Sequence, residues 1–169
     1  MAVISVITGI LAAAVLPQMT GLMARNSLQS SMSQVTGAIR EAQRAAMKNG
    51  RSCWVSIGTS SISTDNTRTD PTQTANATTN PPNICITSPV TLSSETPLSA
   101  VSISGSTVTA LTLPQSLIFS YKGNPNNANE LVLILSSTKT STQRCLAISA
   151  GIGIMRSGTY ENNSCTSSF

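Results

Sequence analysis

The first 24 residues carry no charged side chain, and this stretch constrains the fold more than any other. The run MAVISVITGILAAAVLPQMTGLMA ends immediately before Arg25, the first charged residue of the chain. Its aliphatic residues occupy every face of a helix, so a helix built from them must be buried on all sides. A bilayer core of about 30 Å needs about 20 predominantly apolar helical residues, and this segment approaches that length.

Three interpretations of residues 1–24 compete. A cleaved secretory signal is disfavoured because no basic residues precede the apolar core, although Ala12-Ala13-Ala14 has the small residues of a cleavage site. A helix buried in the core of its own chain needs a larger protein around it than 169 residues supply. We therefore predict a helix that lies in a membrane or in the core of a filament.

The helix continues beyond Arg25, but with a single apolar face. Apolar residues recur at alternating steps of four and three, which places them on one stripe. Asn49-Gly50 is a helix stop, and Lys48 suits the negative end of the helix dipole. We predict one nearly continuous helix from about Met1 to Lys48, with a stripe formed by Leu28, Met32, Val35, Ile39, Ala42 and Ala46.

After Gly50 the apolar pattern changes to a period of two, which is typical of strands. A polar stretch over residues 59–83 is predicted to be one long loop, and residues 104–106 and 122–127 are predicted turns. The fold class is therefore α+β, with residues 25–48 as an amphipathic helix on one face of an antiparallel β-rich head, residues 51–169. The predicted strands are Cys53–Ile57, Ile84–Thr87, Leu98–Ser104, Thr107–Leu113, Leu117–Tyr121, Glu130–Ser136, Arg144–Ser149 and Ile152–Arg156.

Four cysteines are spread along the β-rich part without a C-x-x-C pair. Zinc sites and redox motifs need close pairs, so two disulfides in an oxidising compartment are favoured over buried free thiols. Sequence alone leaves three connectivities. Moderate loop lengths favour Cys53–Cys85 and Cys145–Cys165, and the part beyond Arg25 is then expected outside the cytoplasm.

Composition argues against an enzyme. The chain has no histidine and only six Asp and Glu residues, so imidazole bases, His-bound zinc and paired carboxylates are all disfavoured. No S-x-x-K sequence is present for a Ser-Lys dyad. We therefore predict no catalytic residues, no metal and no cofactor.

Several motifs resemble those of type IV pilins and pseudopilins, and the GspH/FimT-like branch fits best. The first-helix motif is Gly9-Ile10-Leu11-Ala12-Ala13-Ala14-Val15-Leu16-Pro17, similar to the G-I-L-A-A-I-A-x-P of that family. Residues 24–28 and 40–46 resemble the middle and end of the family helix. Residues 118–123 and 145–151 resemble two head strands. The resemblance implies a pilin-like fold with residues 1–24 as the membrane or filament-core helix and residues 25–169 as the head.

The resemblance implies a structural subunit of an extracellular filament. Its partners would be copies of itself, other pilins, the pilus assembly machinery and, before assembly, the bacterial inner membrane. A type II secretion pseudopilin shares these features. Gly9 to Pro17 is interpreted either as a simple kink or as a segment that unwinds on assembly. Packing in the filament core is assigned to Met1, Val3, Ile4, Val6, Ile7, Ile10, Leu11, Val15 and Leu16.

The contrasting hypothesis is a minor pilin that binds DNA for uptake. Phosphate binding needs clustered basic residues, and the candidates on the late strands are Lys139, Arg144 and Arg156. Some FimT-like pilins carry a G-R-x-R sequence here, of which Gly151-Ile152-Gly153-Ile154-Met155-Arg156 retains only the last basic residue. Ten Lys and Arg residues in 169 are sparse, so a modestly basic surface without nucleic acid is favoured.

Overall fold

The structure is a computed structural model that describes residues 2–65 and 85–166, with the backbone alone for residues 2–20. One helix, α1 (Ala2–Asn49), precedes a head of antiparallel strands. The α+β class and the single long helix predicted from the sequence are confirmed. The predicted loop residues 66–83 and the first residue of the predicted strand Ile84–Thr87 lie outside the described residues.

The helix ends where the sequence predicts, for a local reason. Gly50 adopts a φ of +62°. This backbone conformation costs considerably more free energy for a residue with a Cβ than for glycine. The next amide, Arg51 N–H, donates back to the carbonyl of Ala46 over 3.2 Å. This arrangement is the hydrogen bond of a Schellman cap, which satisfies a carbonyl that the helix itself leaves open.

The described residues form ten strands in two sheets. The four-stranded sheet has the order β3-β2-β1-β6 and the six-stranded sheet the order β10-β9-β8-β7-β4-β5, with every described neighbour antiparallel. The bounds are β1 Cys53–Ile57, β2 Ser61–Thr64, β3 Val90–Thr91, β4 Leu98–Ser104, β5 Thr107–Leu111, β6 Gln115–Phe119, β7 Glu130–Ser137, β8 Thr140–Ile148, β9 Met155–Glu161 and β10 Ser164–Thr166.

The main core lies between α1 and both sheets, with α1 in contact with β7 and β8 of one sheet and β1 of the other. The predicted stripe is confirmed, because all six of its side chains are buried at 4% exposure or less. A single sheet face under the helix was expected. The chain instead uses two sheets to cover a stripe that extends over more than five helical turns.

Three of the predicted elements, two strands and the long loop, need correction. Residues 85–87 are not a strand, because the amides of Cys85 and Ile86 donate to the hydroxyl of Thr64 (3.2 and 2.9 Å) rather than to a neighbouring strand. Part of the predicted loop, Ser61–Thr64, is strand β2, and it pairs with β1. The last long strand is Met155–Glu161 instead of Ile152–Arg156, since residues 151–154 form the turn between β8 and β9.

Candidate functional site

The predicted filament-core residues occupy one continuous helix. The backbone of α1 is helical from Ala2 onward and remains so through Gly9 and Pro17. The side chains assigned to packing, from Val3 to Leu16, lie outside the described side chains, and Met1 lies outside the described residues altogether. Whether Gly9 to Pro17 unwinds on assembly stays a prediction.

Among the described side chains, the face of α1 that is turned towards the head is buried from Ala24 onward. Ala24 is 7% exposed and Leu28 is fully buried, whereas Leu22 and Met23 are 60% and 67% exposed. With about 3.6 residues per turn, Leu22 and Met23 lie on the face of the helix opposite the buried stripe, so both large apolar side chains project away from the head. They adjoin the charge-free residues 1–20. Among the residues whose side chains are described, no helical segment combines the length and the apolar character needed to cross a bilayer.

A second group of exposed apolar side chains surrounds the other end of α1. Met47 lies in the last helical turn, Tyr121 precedes the β6–β7 turn, and Ile152 and Ile154 lie in the β8–β9 turn; all are at least 48% exposed. We call these four residues the loop patch. Ile152 and Ile154 had been interpreted as strand residues from their alternation, so the sequence did not reveal this patch.

Gln43 holds the two turns of the loop patch against the helix. Its Nε2 donates to the carbonyl of Gly123 over 2.9 Å and to that of Gly153 over 3.3 Å. Both glycines have positive φ, +81° and +70°. A Cβ on Gly153 would approach Gln43 Nε2 to 2.8 Å and Pro125 Cδ to 2.9 Å, so this close approach needs glycine.

Both predicted disulfides are present. Cys53 on β1 is bonded to Cys85, with Cα atoms 5.6 Å apart, and Cys145 on β8 is bonded to Cys165 on β10, with Cα atoms 5.8 Å apart. The first connects the four-stranded sheet to the segment that begins at Cys85. The second crosses β9 on the sheet face opposite the helix, where Cys145 packs with Val132, Ile134 and Ala147.

The structure does not bring the three predicted DNA-contact residues together. Lys139, in the β7–β8 turn, forms an ion pair with Glu95 at 2.7 Å, and Arg156 forms one with Glu130 at 2.6 Å. Arg144 pairs in register with Thr159, on the sheet face towards the helix, whereas Arg156 pairs with Ala147 on the opposite face. Two of the three charges are thus already neutralised, and the two arginines point to opposite sides of the sheet.

Arg144 instead shares a groove with a residue that the sequence analysis did not select. The groove has a volume of about 380 Å³ and lies between α1 and the β8–β9 strands. Arg40 from the helix and Arg144 from β8 line it, together with Ser33, Thr36 and Ser157. Arg144 Nη1 donates weakly to Thr159 Oγ1 over 3.4 Å, and neither arginine forms an ion pair with a described carboxylate.

Within residues 2–65 and 85–166 no cluster of three or more His, Cys, Asp or Glu side chains could hold a metal ion. Comparison of the chain with protein-family models, with curated proteins and with solved structures finds no match.

Proposed function

We propose that this chain is a structural subunit of a type IV pilus-like extracellular filament. The observation that carries the proposal is the division of α1: the head buries one face of the helix from Ala24 to Ala46, whereas Leu22 and Met23 are exposed on the other face, next to a charge-free segment. A helix that is apolar on all faces needs a surrounding apolar medium. Other copies of the same helix supply that medium in a filament.

Two further features support the proposal. Two disulfides are typical of proteins that fold in an oxidising compartment, as a periplasmic and then extracellular head would. The pilin-like motifs of residues 9–17 and 24–28 lie on this same helix. Before assembly the charge-free segment would lie in the bacterial inner membrane, and in the filament it would pack against neighbouring helices. A type II secretion pseudopilus would use the same surfaces.

Electron microscopy of material sheared from the cell surface, immunolabelled for this chain, tests the proposal. We expect labelled fibres. Leu22→Glu and Met23→Glu should abolish them, because each places a carboxylate in the apolar contact between copies. Gln34→Glu is the matched control, since Gln34 is also exposed on α1 but lies beside the head. Fibres that are unlabelled, or that survive both charged substitutions unchanged, would contradict the proposal.

The Arg40–Arg144 groove is the one observation that favours a second candidate function, the binding of DNA phosphates. Two arginines neutralise few phosphates, and no exposed aromatic side chain lines the groove as a stacking platform, so the filament function ranks first. A gel-shift assay with the full chain distinguishes the two. Binding through this groove should be lost in Arg40→Ala and Arg144→Ala and retained in Arg156→Ala, whose side chain is on the opposite sheet face.

A further inference from the structure

The edges of the two sheets differ in how they are protected. In the four-stranded sheet, β3 has only two residues. Its other edge, β6, is covered by the following turn: Phe119 bridges to Pro125, and Asn126 N–H donates to the carbonyl of Ile118 over 2.9 Å. In the six-stranded sheet, β10 has three residues and is tied to β8 by the Cys145–Cys165 disulfide. Short or covered edges of this kind do not accept another strand easily.

The remaining edge, β5, is neither short nor covered by another described segment. It runs for five residues, Thr107–Leu111, and β4 is the one strand of the described residues with which it pairs. Every second residue of an antiparallel edge strand directs its N–H and C=O outward. No described residue forms a hydrogen bond with those outward groups of β5. A strand-length row of backbone donors and acceptors therefore faces outward at this edge.

The sequence of this region also lacks the features that usually prevent an edge strand from pairing with another strand. No charged residue occurs between Glu95 and Lys122, so β4, β5 and β6 are all uncharged. Natural edge strands are commonly protected by lysine, proline or a bulge, and β5 contains no charge, no proline and no register shift against β4. Its residues Thr107, Val108 and Thr109 are β-branched and favour the extended conformation.

The two faces of β5 continue the two faces of its sheet. Leu111 is opposite Ala100 and packs on the main core, whereas Val108 and Ala110 are opposite Ile103 and Val101, on the outer face. A partner strand must match this alternation so that apolar side chains stay on the outer face. A second copy of β5, related by a two-fold axis normal to the sheet, matches it automatically because identical residues lie on identical faces.

We propose that β5 pairs antiparallel with β5 of a second copy of this chain, about a two-fold axis that passes beside Thr109. This register uses all five residues of the strand. It places Thr109 opposite Thr109 of the partner subunit, and Val108 opposite Ala110 of the partner subunit. Two six-stranded sheets then form one continuous sheet, with neutral side chains along the whole contact. The contact is closed by symmetry, so it joins two chains, or two filaments side by side, and does not depend on the filament proposal.

Cysteine cross-linking of the full chain in detergent solution tests both the pairing and its register. The four native cysteines all form disulfides, so an introduced cysteine supplies the free thiol for cross-linking. Directly opposed residues of an antiparallel pair have Cα atoms about 4.5–5.5 Å apart, within the range of a disulfide. Under mild oxidation, most of the Thr109→Cys chains should therefore migrate as a dimer on a non-reducing gel. A reducing agent should return them to the monomer.

Thr107→Cys is the matched control, because Thr107 is an equally exposed threonine of the same strand. In the proposed register its two copies lie four residues apart along the strand, about 13 Å, so it should remain monomeric. An equal mixture of Val108→Cys and Ala110→Cys chains should cross-link to each other. Absence of the Thr109→Cys dimer, or equal cross-linking of Thr107→Cys, would overturn the proposal.

Thr109→Lys gives an independent readout by analytical ultracentrifugation of the same full chain. Two lysines directly opposed across the axis repel each other, so the dimer should dissociate at concentrations where the native chain and a Ser106→Lys control are dimeric. Ser106 lies in the β4–β5 turn and is exposed. A Thr109→Lys chain as dimeric as the control would contradict the proposal. Neither result bears on whether the chain forms fibres, which electron microscopy tests separately.

Discussion

Two neighbouring parts of α1 have the same kind of apolar side chain and opposite surroundings. Val35 and Ile39 are fully buried between the two sheets, whereas Leu22 and Met23, about four turns earlier, are 60% and 67% exposed. Apolar character alone therefore does not distinguish residues that fold the head from residues that remain available to a neighbour. The distinction comes from the face of the helix, because Leu22 and Met23 lie on the side opposite the stripe that the two sheets cover.

The largest expected effect is on the buried side of this comparison. Ile39→Ala removes a fully buried side chain from the main core and should lower the free energy of unfolding by about 2–5 kcal/mol. Leu22→Ala, the matched change on the exposed side, should leave it unchanged. Chemical denaturation followed by circular dichroism measures both. Similar losses for the two variants would mean that the side of the helix that carries Leu22 also packs against the head.

A smaller effect is expected from the Cys145–Cys165 disulfide, which is remote from the helix. Replacing both cysteines by alanine opens a loop closed over a sequence separation of 20 and should cost about 3 kcal/mol of unfolding free energy. The exposed apolar surface near Leu22 is unaffected. At temperatures where the variant head stays folded, fibres should therefore still form. Loss of fibres from a folded variant would show that head stability and assembly are not separable.

The smallest effect concerns Gln43, which connects the helix to the loop patch. Gln43→Met keeps the size of the side chain but removes both hydrogen bonds to the Gly123 and Gly153 carbonyls, at a cost of about 1–2 kcal/mol. Hydrogen exchange should become faster in the β6–β7 and β8–β9 turns and remain unchanged in β7. Faster exchange throughout the head would instead indicate that Gln43 supports the whole core.

The sequence was sufficient for the parts of the fold with a clear period. Two strands have the predicted bounds, Cys53–Ile57 and Leu98–Ser104, and the predicted stripe from Leu28 to Ala46 is buried. Burial on one side imposes the spacing of apolar residues in these elements, so the sequence reveals them. The disulfide pairing was also predicted correctly. The helix stop at Asn49-Gly50 is local chemistry and was equally readable.

Other elements could not be predicted because tertiary contacts decide them. Strand β2 has one buried apolar residue, Ile62, among serines and a threonine, which is too little for a period. Ile152 and Ile154 alternate like strand residues but lie exposed in a turn. The groove depends on Arg40 and Arg144, which are distant in sequence and meet only when α1 packs on β8.

The Cys53–Cys85 bond has a consequence for how the molecule can vary. The hydroxyl of Thr64, at the end of β2, accepts hydrogen bonds from the amides of Cys85 and Ile86, so Thr64 and Cys85 lie side by side, and the disulfide fixes Cys85 to β1. Lengthening a loop whose ends are already joined costs little, about 0.6 kcal/mol for each doubling. The entropic cost of lengthening the stretch between Thr64 and Cys85 is therefore small, and its two ends stay joined to the head whatever its length.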